Sequence, residues 1–297
     1  MQISEGSVKI KNGEKIFYRK SGNGEKKLLL IHGNMSSSRY WVNFMSKFPS
    51  DFTLYAVDMR GFGESSYNQP LESLEDLAED LVMFSREMNL DRITPVGWST
   101  GGGVGMVMAA LLYPELVEKL ILVESVAYYG FPIYRKNERG EPIIGSFYSS
   151  KEELAADPVQ VAPVVEAYKT GDSDLLKFLW NQMIYVANKP DHEEFEKNIE
   201  TTMKQRNLVD LDWALTTFNI GHTHNGVSEG SGLVDQIKCP VLAFWGDRDQ
   251  VVTRDMAEET VKAIGDNARL VILEGCGHSP FTDKPEQMLE EIITFMG

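Results

Sequence analysis

The chain is short of positive charge, of cysteine and of long apolar runs, and each shortage removes a class of protein. Its 29 lysines and arginines stand against 44 aspartates and glutamates, a formal net charge of −15. A nucleic-acid binder needs a basic face to neutralise phosphates. The densest basic stretch here, Lys9 to Lys27, is interrupted by Glu14 and Glu25 and reads as a solvated hairpin edge. No nucleic-acid partner is expected, and the acidity serves solubility. Nowhere do ~18 apolar residues run uninterrupted, so no membrane-spanning helix is expected. The opening residues, Met1-Gln2-Ile3-Ser4-Glu5-Gly6, lack the charged start and apolar run of a secretory signal, and a cytoplasmic location is expected. The two cysteines, Cys239 and Cys276, carry no metal-ligand spacing. A disulfide between them is possible, but reduced core thiols fit an intracellular chain better. There is no internal repeat and no low-complexity segment.

With 297 residues, 42% hydrophobic and 25% charged, the chain has room for one large α/β domain or a core carrying an insertion. Short apolar runs alternate with helical patterns, the mark of βα units feeding a mostly parallel sheet. The runs are Leu28 to Ile31, Leu54 to Val57, Ile93 to Val96, Leu120 to Val123, Val241 to Phe244 and Leu270 to Leu273. Between them lie amphipathic stretches such as Leu74 to Met88. Ser7 to Tyr18 alternates around Asn12-Gly13 and predicts an antiparallel hairpin. The alternation lapses from about Ala127 to Asp235, where helix-like stretches replace strands: Val159 to Tyr168, Ser173 to Ala187, Glu193 to Gln205 and Leu211 to Phe218. That gap is too long for an ordinary connection and predicts an inserted helical cap. The expected division is a core of residues 1–126 and 236–297 with a cap of residues 127–235.

Three segments carry groups suited to nucleophilic catalysis. Gly97-Trp98-Ser99-Thr100-Gly101 follows a predicted strand and opens an apolar helix, Val104 to Leu112, that stops before Pro114. A nucleophile held on a strained strand-to-helix turn needs tiny residues two before and two after it; the alternative is a glycine-rich helix start capped by Ser99. Gly275-Cys276-Gly277-His278 follows the last strand, and histidine titrates near neutrality, so it can take and return a proton. Gly246-Asp247-Arg248-Asp249 follows the strand before it. In that turn the fourth position points toward the carboxyl edge of the sheet and selects Asp249 as the group that orients His278, while Asp247 caps the turn. Glu124, at the end of the strand Leu120 to Val123, is a second possible acid.

The chain order Ser99, Asp249, His278 resembles that of the α/β-hydrolase superfamily. Further resemblances are Leu30-Ile31-His32-Gly33, Asp58-Met59-Arg60-Gly61-Phe62-Gly63-Glu64-Ser65 and Pro240 to Asp247. The resemblance implies an α/β-hydrolase fold: a mostly parallel central sheet flanked by helices, with an inserted helical cap. It implies that the loop His32-Gly33-Asn34 supplies one main-chain N–H to an oxyanion, from Asn34, and that Thr100 supplies the second. His32 is assigned to holding that loop, and Asp58 to Ser65 to a tight turn and helix start. The implied activity is hydrolysis of small-molecule or oligomeric carboxylic esters through an acyl-enzyme, with no cofactor and no metal. Relatives with an aspartate nucleophile, the epoxide and haloalkane hydrolases, are disfavoured by Ser99. A second resemblance, in length, serine elbow and cap placement, is to intracellular poly(3-hydroxybutyrate) depolymerases. Lactonases, carbon–carbon bond hydrolases, perhydrolases and a hydrolase-fold ligand receptor use the same scaffold and stay open.

Cap aromatics roof the pocket in such a fold, and Trp98, Met35, Phe131, Trp180 and Phe218 are the candidates for substrate contact. His222-Thr223-His224-Asn225 has two histidines but no companion ligand at a metal-site spacing, and reads as a polar loop. Oligomeric state is not encoded in any of these features.

Overall fold

The computed structural model describes residues 2–112 and 115–297, so the expected helix stop at Pro114 lies outside the described residues. In chain order the chain forms β1 (Ile3–Lys9), β2 (Lys15–Ser21), β3 (Lys26–Ile31), a short helix α1 (Val42–Met45), β4 (Phe52–Val57), α2 (Leu74–Glu87), β5 (Ile93–Trp98), α3 (Thr100–Leu112) and β6 (Leu120–Val123). An insertion follows: a hairpin of β7 (Tyr134–Lys136) and β8 (Pro142–Phe147), then α4 (Lys151–Ala155), α5 (Ala162–Thr170), α6 (Ser173–Leu179), α7 (His192–Thr202) and α8 (Leu208–Thr217). The chain then returns to β9 (Val241–Gly246), α9 (Arg254–Ile264), β10 (Ala268–Leu273), α10 (Pro280–Asp283) and α11 (Pro285–Met296).

Eight strands make one sheet in the order β1-β2-β4-β3-β5-β6-β9-β10. The hairpin β1–β2 and the pair β2–β4 are antiparallel; every later pairing is parallel. The central strands β4, β5, β6 and β9 are buried at every residue. That is what a strand covered on both faces demands, and it is why they read as unbroken apolar runs. β10 closes the edge with a half-exposed pattern. One face is packed by α2 and α3, whose Leu74, Leu77, Leu81, Val104 and Val107 join Leu29 and Ile31. The other face gathers Trp41, Phe44, Trp98 and Phe281 with Met288 and Ile292 of α11. α2 starts on a reciprocal capping box between Ser73 and Asp76.

The insertion between β6 and β9 departs from the purely helical expectation by its hairpin. Asn137 Oδ1 accepts the N–H groups of Arg139 and Glu141 and so closes the turn. The strands were hidden because β7 and β8 bury almost nothing and show no alternation. Elsewhere the insertion is helical, and α8 is built into the core, with Leu211, Ala214, Leu215 and Phe218 in the same cluster as α2 and α3. Both cysteines are free and buried, and burial pushes the Cys239 thiol up to about 11, leaving it unreactive. Among the described residues no helix is long and apolar enough to cross a membrane.

One buried ion pair fastens the loop after β4 to α2. Arg60 Nε donates to Asp80 Oδ2 at 2.6 Å and Nη2 to Oδ1 at 2.9 Å, and Asn12 of the first hairpin donates to the same carboxylate. Replacing Arg60 by leucine leaves Asp80 charged and unpaired in the core. Arg60→Leu is expected to lower the unfolding free energy by about 3–5 kcal/mol in a urea titration, and Arg60→Leu/Asp80→Leu to recover much of it. A single-variant loss near zero would remove the pair from the frame of the fold.

Candidate active site

The parallel strands end on one edge of the sheet, and their loops bring Ser99, Glu124, Asp249 and His278 there from β5, β6, β9 and β10. Ser99 has φ +54°, the left-handed region that costs a non-glycine residue energy. The turn around it leaves no room for side chains. A Cβ on Gly97 would lie 2.2 Å from the carbonyl oxygen of Gly101, and one on Gly101 would lie 2.3 Å from that of Ile31. Hydrogen bonds hold the strained residue: Ser99 N–H donates to Val123, while its carbonyl accepts from Gly102 and Val126. The serine therefore sits between the end of β5 and the exit of β6, partly buried.

The loop after β3 lies against it; a Cβ on Gly33 would meet Ser99 Cβ at 2.9 Å. His32 holds this loop from beneath. Its Nε2 accepts the N–H of Met59 and its Nδ1–H points at the carbonyl of Gly33. Burial keeps its pKa below the ordinary histidine value, so it stays neutral. Asn34 is fixed by its side chain: Oδ1 accepts from Met35 N–H and from Gln205 Nε2, and Nδ2 donates to Asp212 at 2.8 Å. Gln205 also accepts from Met35 N–H and from Tyr168. Among the described residues no backbone or side-chain acceptor takes the main-chain N–H of Asn34. Thr100, the first residue of α3, has an N–H of the kind that finds no partner within its own helix.

His278 is 2% exposed. Its Nδ1–H donates to Asp249 Oδ2 at 2.7 Å, and its carbonyl accepts Trp98 Nε1–H at 2.7 Å. Asp249 Oδ1 in turn accepts the N–H groups of Val251 and Val252. Burial works to raise the Asp249 carboxyl, but the facing imidazole and these hydrogen bonds hold it below the usual aspartate range. Asp247, expected to cap the turn, accepts the N–H of Gly275 and ties the β9 loop to the β10 loop. No hydrogen bond joins Ser99 Oγ to His278; in ligand-free sites this contact is commonly long and tightens with substrate.

The expected substrate-contacting residues fall into two groups. Trp98, Trp180 and Met35 share one cluster, in which Trp180 stacks on Tyr40 at 4.6 Å and Trp98 lies edge-on to Trp41 and Phe281. Phe131 and Phe218 pack in the other cluster, with α8 and the helices of the core. Trp98, Trp180 and Phe218 are buried. His222 pairs with Asp235, and His224 accepts the N–H of Gly226. A crevice of about 490 Å³ beside Tyr128, Tyr129 and Glu259 includes none of Ser99, Asp249 and His278.

Residue types alone did not point to Gln205 and Asp212, which reach the Asn34 loop from the insertion. The single hint was a carboxylate set inside the apolar stretch Leu211 to Leu215. Burial, with the charge of Asp157 adding to it, pushes the Asp212 carboxyl up to about 7 in spite of the hydrogen bond from Asn34.

Known proteins match this chain over most of its length. The model of the alpha/beta hydrolase family matches residues 28–291. Lipase 1 of Psychrobacter immobilis is 24% identical over 97% of this chain and 83% of its own. The 2-hydroxy-6-oxononadienedioate/2-hydroxy-6-oxononatrienedioate hydrolase of Paraburkholderia phymatum is 23% identical over 100% of this chain and 94% of its own. The solved esterase of Exiguobacterium antarcticum superposes with a TM-score of 0.74 at 19% identity, covering 98% of each chain.

Asp212 makes stability depend on pH. Its folded carboxyl binds a proton more tightly than the unfolded one, so folding is favoured most at low pH and loses that gain as pH rises toward about 7. Asp212→Asn keeps an oxygen for Asn34 but cannot ionise. Relative to the unsubstituted protein its melting temperature is expected to rise steadily from about pH 5 to pH 7 and then level off, a gain of about 2–3 kcal/mol. A pH-independent difference between the two melting curves would contradict this.

Proposed function

Given that the chain belongs to the alpha/beta hydrolase family, we propose that it is a carboxylic-ester hydrolase working through an acyl-enzyme on Ser99. In this reading Ser99 Oγ attacks the ester carbonyl carbon and its proton passes to His278 Nε2. Asp249, at Nδ1, holds the ring in the tautomer that leaves Nε2 free to accept. The negative charge that collects on the former carbonyl oxygen is met by the main-chain N–H groups of Asn34 and Thr100. Collapse of the intermediate expels the alcohol, which takes the proton from His278. Water then repeats the sequence and releases the acid.

The observation that carries the proposal is the left-handed Ser99 on the sheet edge that also bears the 2.7 Å pair of His278 and Asp249. A capping serine has no need of that conformation, because a cap residue is ordinarily extended. The names of the Psychrobacter lipase and the Exiguobacterium esterase agree with ester chemistry. A second reading, carbon–carbon bond hydrolysis, is favoured by the name of the Paraburkholderia relative and uses the same groups. Residues 127–235 are taken as the lid that selects the substrate, over a core of residues 1–126 and 236–297.

Ser99→Ala is expected to abolish turnover of a short p-nitrophenyl ester, a fall of at least about 10⁴-fold in kcat, with an unchanged circular dichroism spectrum. Retained activity would sink the assignment. A panel of esters of graded chain length, lactones, hydroxybutyrate oligomers and a vinylogous diketone separates ester from carbon–carbon hydrolysis by which compound gives the highest kcat/KM.

A further inference from the structure

Behind the His278–Asp249 pair lies a second carboxyl group that the mechanism leaves unused. Glu124 follows β6, is completely buried and, like Ser99, is held in the left-handed region, at φ +44°. One of its oxygens, Oε1, accepts the N–H of Gly246 at 2.8 Å. The other, Oε2, is buried with no hydrogen-bond donor among the described residues. One oxygen or nitrogen from each of Glu124, Asp249 and His278 lies within 4.8 Å of the others. Two ionised carboxylates in so small and dry a space repel each other strongly. One proton on Oε2 removes both faults at once: it gives the orphaned oxygen something to donate, and it gives Asp249 a fourth donor beside His278 and the N–H groups of Val251 and Val252.

Resting on the reading of Ser99, His278 and Asp249 given above, we infer that Glu124 is protonated and donates to the Asp249 carboxylate, acting as a positioning residue that fixes Asp249 and moderates the basicity of His278. The other groups facing it agree. Asp283 from α10 adds negative charge, Cys276 is a buried neutral thiol, and Lys284 lies beyond them. Burial first, and then the charge of Asp249, push the Glu124 carboxyl well above the usual glutamate range. The backbone strain at Glu124 fits a residue whose placement matters more than its local comfort. A neutral donor also draws charge from Asp249, so His278 gives up its proton more readily than it would opposite a bare carboxylate.

Glutamine copies the neutral form of this group, with an oxygen for Gly246 and an N–H for Asp249. The experiment is the pH profile of kcat/KM for a p-nitrophenyl ester, with Glu124→Gln and Glu124→Leu beside the unsubstituted enzyme. Glu124→Gln is expected to keep kcat/KM within about threefold and the acid limb within about 0.3 pH unit. Glu124→Leu, which lacks the donor, is expected to move the acid limb up by about half a unit or more. A downward shift of a unit or more in Glu124→Gln would mean that a negative charge had been removed, and would overturn the inference. Infrared difference spectra give a readout independent of turnover: the unsubstituted enzyme is expected to show a protonated-carboxyl C=O stretch that Glu124→Gln lacks, and its absence would overturn the inference too. The two levels separate cleanly. If Ser99→Ala stays active the nucleophile is misassigned, whereas an inactive Ser99→Ala with a shifted Glu124→Gln profile refutes only the role of Glu124.

Discussion

Everything at the edge of the sheet depends on the tight turn that forces Ser99 into a left-handed backbone. A strand that ends and turns at once into a helix brings its own backbone within van der Waals range of itself, and Gly97 and Gly101 make that approach possible. The strain of order 1–3 kcal/mol is offset by the hydrogen bonds from Ser99 to Val123, Gly102 and Val126 and by the buried runs of β5 and α3 on either side. The same turn that lifts the serine also starts α3. The N–H of Thr100, the first residue of α3, is thereby left without a partner within its own helix.

The remaining groups are tied to that turn by side-chain hydrogen bonds and by close backbone approach. Trp98, one residue before the serine, reaches across the sheet edge to the carbonyl of His278, so the loop carrying the histidine is referenced to the elbow itself. On the other side the Gly33–Asn34 loop touches Ser99 and is clamped from the insertion by Gln205 and Asp212. The insertion thus takes part in shaping the loop next to the serine. The buried carboxyl of Glu124 completes the arrangement from behind.

Local chemistry made much of this legible in the amino-acid sequence. The apolar runs named the parallel strands because two-sided burial forbids polar residues there, and Asn12-Gly13 named the first hairpin. The positions of Ser99, Asp249 and His278 after their strands followed from the same alternation. What escaped notice depends on contacts distant in sequence. The β7–β8 hairpin buries too little to show a period. Gln205 and Asp212 lie more than 100 residues beyond the Asn34 loop they hold, and only the carboxylate set inside the apolar stretch Leu211 to Leu215 hints at it. Trp98 and Trp180 were named as candidates for substrate contact from their residue type; that they also pack with Tyr40, Trp41 and Phe281 depends on neighbours distant in sequence. Glu124 and Asp249 stood as alternatives for one role, and the fold puts both at the same place.

The central claim is that the strained serine is the nucleophile. Treating the protein with a p-nitrophenyl phosphonate, which transfers its phosphonyl group to an activated serine with release of p-nitrophenolate, and mapping the adduct by mass spectrometry of the digested chain tests it most directly. The account predicts a single stoichiometric adduct on Ser99. Modification at another residue, or none at a concentration that inactivates other serine hydrolases, would contradict it.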